Sequence, residues 1–255
     1  MNFEKVVEEI LKAYGYEVEK IPTSEVKTPD FLIFDSTSVY LLEVKTKLPS
    51  QEQIRERKEI LHAGEFYQLN EPIIPNKRLA EIIKKAERQL REHKSQTEVL
   101  RLVWLAATDY LEEARMDQFE ATLYGSTCVV DWSTRGRAGT CYFFYNSDFF
   151  RFRDVLDAAI VSAGSKYRLL LNPLSKSYEK MKNSSLACHL RDGVVDPIAI
   201  EVQGKAFIVD GDVDRDNEAE VLAFLQTKYK SAGIRNITMS LMSGTLAIPN
   251  ETDET

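Results

Sequence analysis

The chain is 255 residues long, with 44% hydrophobic and 29% charged residues, 11 Gly and 8 Pro; this excludes collagenous, low-complexity and peptide-scale disulfide-built classes and leaves room for a sizeable core. Lys plus Arg number 33 against 40 Asp plus Glu, a formal net charge of −7, which speaks against a general polyanion coat because phosphate neutralisation supplies most non-specific nucleic-acid affinity. Three cysteines (Cys128, Cys141, Cys188) and three histidines (His62, His93, His189) fit no paired zinc spacing, and an odd thiol count argues against a disulfide framework.

No run approaches the roughly eighteen apolar residues of a membrane span, and the first residues are too acidic and too regularly amphipathic for a signal peptide, so a soluble cytoplasmic protein without a membrane partner is expected. Phe3, Val6, Val7, Ile10, Leu11 and Tyr14 fall at helical spacing, with Gly15 where a C-terminal cap belongs. Residues 31–34 and 39–46 read as strands joined by the polar turn Asp35-Ser36-Thr37-Ser38, hence an antiparallel hairpin. Residues 51–63 are expected to be helical, a stretch punctuated by Pro72 and Pro75 irregular, and residues 77–94 a firmer helix with Leu79, Ile82, Ile83, Ala86 and Leu90 buried. Residues 100–107 form a nearly continuous apolar run, as in a strand covered on both faces.

The order α-β-β-α-β predicts an α/β protein with a mixed sheet. Further on, the pattern predicts a helix near 111–123, strands at 127–132 and 140–145 around the loop 133–139, and an amphipathic helix over 148–162. Strands at 167–171, 198–202 and 205–210, a hairpin at 237–248 turning on Ser243-Gly244, and helices near 174–182 and 216–229 complete the reading. The division expected is a core over 1–112, an α+β extension or second domain over 113–250, and a disordered acidic tail over 251–255.

The hairpin fixes a register. If its turn closes with Phe34 opposite Val39, then Leu32 faces Leu41, Phe31 faces Leu42 and Asp30 faces Glu43. Alternation puts Lys45 on the same face as that acid pair. Two carboxylates held close by an apolar scaffold repel each other, and a divalent cation is the usual way to keep both ionised. Mg²⁺, with Mn²⁺ as substitute, suits oxygen ligands, needs only one or two carboxylates and takes water and phosphate oxygens besides. A neighbouring lysine neutralises charge developing on a phosphate or positions the attacking water. This chemistry is metal-assisted phosphodiester hydrolysis.

Thr28-Pro29-Asp30, followed by the hairpin and Glu43-Val44-Lys45, resembles the PD-(D/E)xK nuclease superfamily, the restriction-endonuclease-like fold with an α-β-β-β-α-β core. Phe3-Glu4 with Gly15-Tyr16-Glu17-Val18-Glu19 is similar to the start of catalytic domains in modification-dependent restriction enzymes and archaeal Holliday-junction resolvases. The resemblance covers roughly residues 1–110. It implies Asp30 and Glu43 as metal ligands joined by the Val44 carbonyl, Lys45 as the catalytic lysine, Glu4 as the helix acid of the site, and DNA as the substrate of an endonuclease. The strand-binding groove would come from Lys47, Arg55, Lys85 and Gln89. Some branches carry Gln-x-x-x-Tyr on the helix after the catalytic strand; here Gln89 is followed four residues later by His93. The third core strand must be residues 100–107 or lie in a segment read as irregular.

Each feature also has a plainer account. Pro29-Asp30 could simply start a turn and Glu43 and Lys45 face solvent, while Glu4 could be a first-turn acid favourable to the helix dipole. Lys77, Lys84, Arg88 and Arg91 point away from their helix's apolar stripe and read as a solvated face; Lys85 and Gln89, on one flank, are the better placed to reach a phosphate. The acidic segment 210–218 fails as a calcium loop, because Arg215 stands where glycine is needed and Val221 where the bidentate acid is needed. Cys188-His189 lacks a third partner for a dyad, the aromatic run 141–150 reads as core or subunit interface, and Arg135 and Arg137 as an exposed hairpin tip. The expected function is a Mg²⁺-dependent nuclease. The alternative is a catalytically silent nuclease-fold module that binds nucleic acid or a protein, with a homodimer or larger assembly built through the C-terminal half.

Overall fold

In a computed structural model of the chain, the residues described are 2–22, 28–94, 98–108, 111–134, 136–237 and 241–246. Helix α1 (Phe3–Ala13) is capped by Asn2, whose side chain accepts from the Lys5 N–H, and it buries Val7 and Leu11. Gly15, at φ +87°, lets the chain reverse out of the helix into β1 (Glu17–Lys20), which pairs antiparallel with β2 (Phe31–Phe34) through Val18 and Ile33. This strand supplies the third strand of the core, which the sequence reading sought at 100–107 or in a segment read as irregular. Three of its four residues are charged and it lies on the sheet edge, so no apolar alternation marks it. β2 then pairs with β3 (Val39–Lys47) in the register predicted, Phe31 with Leu42 and Leu32 with Leu41. Asp35 Oδ1 closes the turn by accepting from the N–H groups of Thr37 and Ser38, both at 2.7 Å.

The chain continues as α2 (Gln51–His62), β4 (Tyr67–Pro72), α3 (Lys77–Glu92), β5 (Leu100–Ala107), α4 (Glu112–Tyr124), β6 (Thr127–Asp131), β7 (Arg137–Tyr142), α5 (Asp148–Arg151), β8 (Ala158–Ala163) and β9 (Lys166–Leu171). There follow α6 (Tyr178–Lys182), α7 (Ser185–His189), β10 (Val194–Val195), α8 (Pro197–Val202), β11 (Ala206–Ile208), α9 (Glu218–Lys228), β12 (Ile234–Ile237) and β13 (Leu241–Leu246). Seven strands form one mixed sheet in the order β1-β2-β3-β5-β8-β9-β10. The pairs β3/β5, β5/β8 and β9/β10 are parallel and the others antiparallel. The molecule is therefore α/β with a mixed sheet, and residues beyond 113 add three strands to the sheet that the first 112 begin. A four-stranded sheet, β11-β7-β6-β12, and the pair β4/β13 complete the strands.

Several expectations are corrected. Residues 148–162 are not one helix: α5 stops at Arg151, and Ala158–Ala163 is a strand with five of its six residues buried. An apolar run covered on both faces has no periodicity to separate strand from helix. Residues 198–202 are helical, because Pro197 takes the first turn and Asp196 caps it by accepting from the N–H groups of Ile198 and Ala199. The hairpin over 237–248 does not form. β12 pairs with β6 and β13 with β4, placing Ser243 and Gly244 inside a strand opposite Asn70 and Leu69. β4 itself occupies the stretch read as irregular. The strand predicted at 140–145 runs instead over Arg137–Tyr142 and ends before Phe143, which sits at φ +60°. Arg137 is not at a loop tip: it donates to the Ala206 carbonyl at 3.2 Å and stacks over Phe207; Arg135 and the tail 251–255 lie outside the described residues. Arg215, buried, donates to the carbonyls of Phe143, Val209, Gly211 and Val213, while Asn217 caps α9.

The large sheet separates two apolar cores. On one face Leu41, Val103 and Leu105 meet Leu79, Ile83 and Leu90 of α3; on the other Leu42, Leu102 and Trp104 meet Val7 and Leu11 of α1 and Leu186 of α7. Among the described residues no helix is long and apolar enough to cross a membrane.

Leu90 is fully buried between α3 and the sheet. Leu90→Ala is expected to cost about 2–5 kcal/mol, the range for a large-to-small change in a well-packed core, and to lower the urea midpoint with little change in slope; a loss under about 1 kcal/mol would contradict this packing.

Candidate active site

Asp30 lies just before β2, and its N–H donates to the Leu42 carbonyl at 3.1 Å, so the ladder reaches the first acid. One residue further along β3 the partner strand has ended. The Asp30 side chain takes its place, Oδ2 accepting from the Val44 N–H at 2.7 Å. The N–H and C=O of a strand residue leave on the same edge, so the Val44 carbonyl also points to the Asp30 side. Glu43 and Lys45 project from the other face of the pleat to Val44, toward α3.

Glu43 is 1% exposed. Its Oε1 is ion-paired with Lys45 Nζ, while Oε2 is buried with no donor among the described residues to accept from; this acid and Asp30 hydrogen-bond to each other only while one of them keeps its proton. Burial, joined by the charge of Asp30, pushes its carboxyl up to about 8, and the nearby ammonium only partly offsets this. Asp30 is also raised, first by burial and further by the charge of Glu4, against the Val44 N–H that favours its ionised form. Lys45 Nζ donates in addition to Gln89 Oε1 at 2.9 Å, and Gln89 Nε2 donates to the Thr28 carbonyl at 2.9 Å. The helix thus fixes both the lysine and the backbone that leads into Asp30.

The donor set suits a hard divalent cation: two facing carboxylates, one with an orphaned buried oxygen, and a backbone carbonyl on the same strand edge. Among the described residues no group of three or more His, Cys, Asp and Glu side chains is arranged to hold a metal, so any cation here would complete its shell with backbone, water and substrate oxygens.

The other predicted residues divide. Glu4 is ion-paired with Lys20 at 2.8 Å on the α1 side and acts on Asp30 only through its charge. Lys47 continues the face of Glu43 and Lys45. Lys85 is exposed on α3, and Arg55 is exposed on α2, 3.8 Å from Glu59. Gln89, expected with Lys85 as a phosphate contact, has a partner within the site at each end of its amide. A polar residue on the flank of the α3 stripe was the available signal, but only the docking of α3 on β3 reveals its partner.

A groove of about 1510 Å³ lies elsewhere, against α1 on the Trp104 face of the sheet. It is lined mainly by apolar residues such as Val6, Ile10 and Trp104; Trp104 Nε1 donates to Ser162 Oγ at 2.8 Å and Lys166 pairs with Glu113. Among the described residues its lining also holds Arg57, Glu112, Glu113 and Lys166, but no buried acid pair with an orphaned oxygen, and it is a weaker candidate for chemistry than Asp30 and Glu43. Comparison with protein-family models, curated proteins and solved structures finds no match.

The raised carboxyl has a defined consequence for stability. Between the ordinary glutamate value of 4.5 and about 8, the folded protein keeps a proton that the unfolded chain has lost, so stability falls as pH rises through that window. With a chelator present, the urea midpoint is expected to drop from pH 5.5 to pH 8, and Glu43→Gln to flatten the trend. A midpoint that climbs over this range, or an identical slope in the variant, contradicts the assignment.

Proposed function

We propose that the protein is a metal-dependent nuclease that hydrolyses phosphodiester bonds, with DNA as its substrate. The observation that carries this reading is the convergence of Asp30, Glu43 and Lys45 at the open end of the β2/β3 hairpin, with a carboxylate oxygen of Glu43 buried and without a donor among the described residues. Support also comes from the element order α1-β1-β2-β3-α2-β4-α3-β5, with β5 parallel to β3; with α2 and β4 taken as an insertion, it is the order expected of the PD-(D/E)xK core that Pro29-Asp30 and Glu43-Val44-Lys45 resemble.

In the proposed reaction, Asp30 and Glu43, with the Val44 carbonyl, would hold Mg²⁺ or Mn²⁺. Such an ion would supply positive charge beside the scissile phosphate and make a water more acidic. Lys45, steadied by Gln89, stabilises charge on the non-bridging phosphate oxygens or orients the attacking water. A water oxygen forms the new bond to phosphorus, the ester bond to the leaving oxygen breaks, and the leaving oxygen ends protonated. Glu43 must give up its proton before it can ligate, so metal affinity rises with pH through the range of its raised carboxyl.

A second reading, a module that binds without cutting, draws on the ion pair that turns Lys45 inward onto Glu43. Purified protein with Mg²⁺ or Mn²⁺ is expected to cut at least one of single-stranded, duplex or branched DNA. Asp30→Asn and Lys45→Met should each reduce cutting by at least about 10²-fold, the scale for losing one transition-state-stabilising group, with the melting temperature retained. Binding without any metal-dependent product supports the module, and cutting that survives both substitutions points to a contaminant.

Gln89→Leu tests the brace. If Gln89 positions Lys45, kcat should fall about tenfold with KM nearly constant, as for an interaction made only in the transition state, and Gln89→Glu should shift the pH–rate profile. A change confined to KM would assign Gln89 to substrate contact instead.

A further inference from the structure

Lys20 ends β1, and the backbone fixes its place beside the acid pair. It pairs with Phe31, the residue after Asp30, and the next N–H along, that of Ile21, donates to the Asp30 carbonyl at 2.9 Å. Alternation places Lys20 on the same face as Val18, which packs with Val7 and Leu11 of α1, and its ammonium meets Glu4 in the first turn of that helix at 2.8 Å. The pair joins a helix to a sheet edge across 16 residues of chain, unlike the i, i+4 pairs Lys5–Glu9 and Lys12–Glu8 that lie along α1.

At this end of the hairpin three acids, Glu4, Asp30 and Glu43, stand with two ammonium groups, Lys20 and Lys45. Lys45 sits on Glu43 and Lys20 on Glu4, so each cation is committed to an acid other than Asp30. The charge of Glu4 nonetheless reaches Asp30, and that of Asp30 reaches Lys20. With all three acids ionised, three negative charges against two positive leave the cluster one net negative charge; against Lys45 alone they would leave two. An exposed ion pair of this kind contributes little to stability. A charge beside an ion site, however, acts on binding there through Coulomb's law.

We propose that Lys20 is a built-in counter-ion of the acid cluster: it neutralises Glu4 in the free protein and thereby weakens the hold of Asp30 and Glu43 on a divalent cation. The inference rests on the metal site of the proposed nuclease reading. Lys20 takes no part in the chemical step, since its partner is Glu4 and neither acid of the pair. It sets the cation concentration at which the site fills. The sign separates this role from a structural one, because removing a counter-ion tightens metal binding, whereas losing a residue that shapes the site loosens it.

The test is Mn²⁺ affinity, measured by titration calorimetry on the full chain without nucleic acid in about 20 mM salt, where charges are screened over roughly 20 Å. Lys20→Met and Lys20→Gln are each expected to lower the Kd for Mn²⁺ about three- to tenfold, the order of magnitude for one unit charge removed beside a partly solvated divalent site. Lys20→Arg should keep the wild-type value, and the tightening should shrink in about 0.5 M salt. Lys12→Met removes the ammonium of the Lys12–Glu8 pair, about 12 Å further along α1 than Glu4; it controls for net charge and should change Kd by less than about twofold. Unchanged or weaker binding in both neutral Lys20 variants, or an equal gain in the control, overturns the counter-ion. A parallel Mg²⁺ cleavage assay on DNA separates the two readings. Cutting with unchanged Mn²⁺ affinity in the variants sinks the counter-ion alone, tighter Mn²⁺ binding without cutting keeps it and sinks the nuclease reading, and no Mn²⁺ binding by wild type or variants overturns both.

Discussion

A carboxylate on an inner strand, 1% exposed and with one oxygen unpaired, is the constraint around which the first half of the molecule is arranged. Burying an ionised acid without full hydrogen bonding is costly, and the group responds by keeping its proton to higher pH. Glu43 does so, and its neighbour Asp30 adds to the effect instead of relieving it. A protein selected for stability alone would place Leu or Val there, as it does at Leu41, one pleat back on the same face. The arrangement is therefore costly in the free protein and becomes favourable when positive charge is brought to the acid pair, which is the physical sense in which the site looks prepared for a ligand.

The hairpin that carries this pair is restrained at both ends. At the open end Gln89 spans from the Lys45 ammonium to the Thr28 carbonyl, coupling α3 to β3 and to the segment entering Asp30. At the turn, Asp35 accepts from the Tyr40 hydroxyl at 2.7 Å and from Ser185 Oγ of α7, and Tyr16 reaches Ser185 at 2.9 Å and His189 Nδ1 at 2.8 Å. Burial alone would raise the Asp35 carboxyl; the hydrogen bonds from Ser185, the Thr37 N–H and Tyr40 outweigh it and hold the carboxyl well below the usual range. A short helix far along the chain thus fixes the turn. The register that brings Asp30 to Glu43 follows from that turn, since a slip of one residue would send the two acids to opposite faces.

What could be read in advance follows from where the determining physics lies. The β2/β3 register was legible because a polar four-residue turn and strict alternation are local properties, and they carried Asp30, Glu43 and Lys45 with them. β1 was illegible because Glu17, Glu19 and Lys20 hide an edge strand that gains its stability from β2. β8 was misread because Ala158–Ala163 is covered on both faces, which erases the period that separates strand from helix. The pairing of β4 with β13 joins segments about 170 residues apart, and no local signal announces it. The flank of α3 that carries Gln89 is legible in the sequence, but its bridge from Lys45 to Thr28 is not, because the rotation of α3 on β3 is decided by Leu79, Ile83 and Leu90 meeting the sheet.

The extension of the sheet bears on how rigid the site can be. β5 is paired on one side to β3 and on the other to β8, and β8 in turn to β9. β3 is therefore an inner strand of a seven-stranded sheet. Its acids ride on backbone hydrogen-bonded on both edges up to the point where β2 ends. Beyond that point the ladder on one side is replaced by a single side chain, Asp30 reaching the Val44 N–H. The strand edge opened there carries the Val44 carbonyl, beside the one acid of the pair that is partly exposed. Rigidity behind and an open edge in front meet at the acid pair, so a ligand arriving there meets groups whose positions were set by the sheet before it bound.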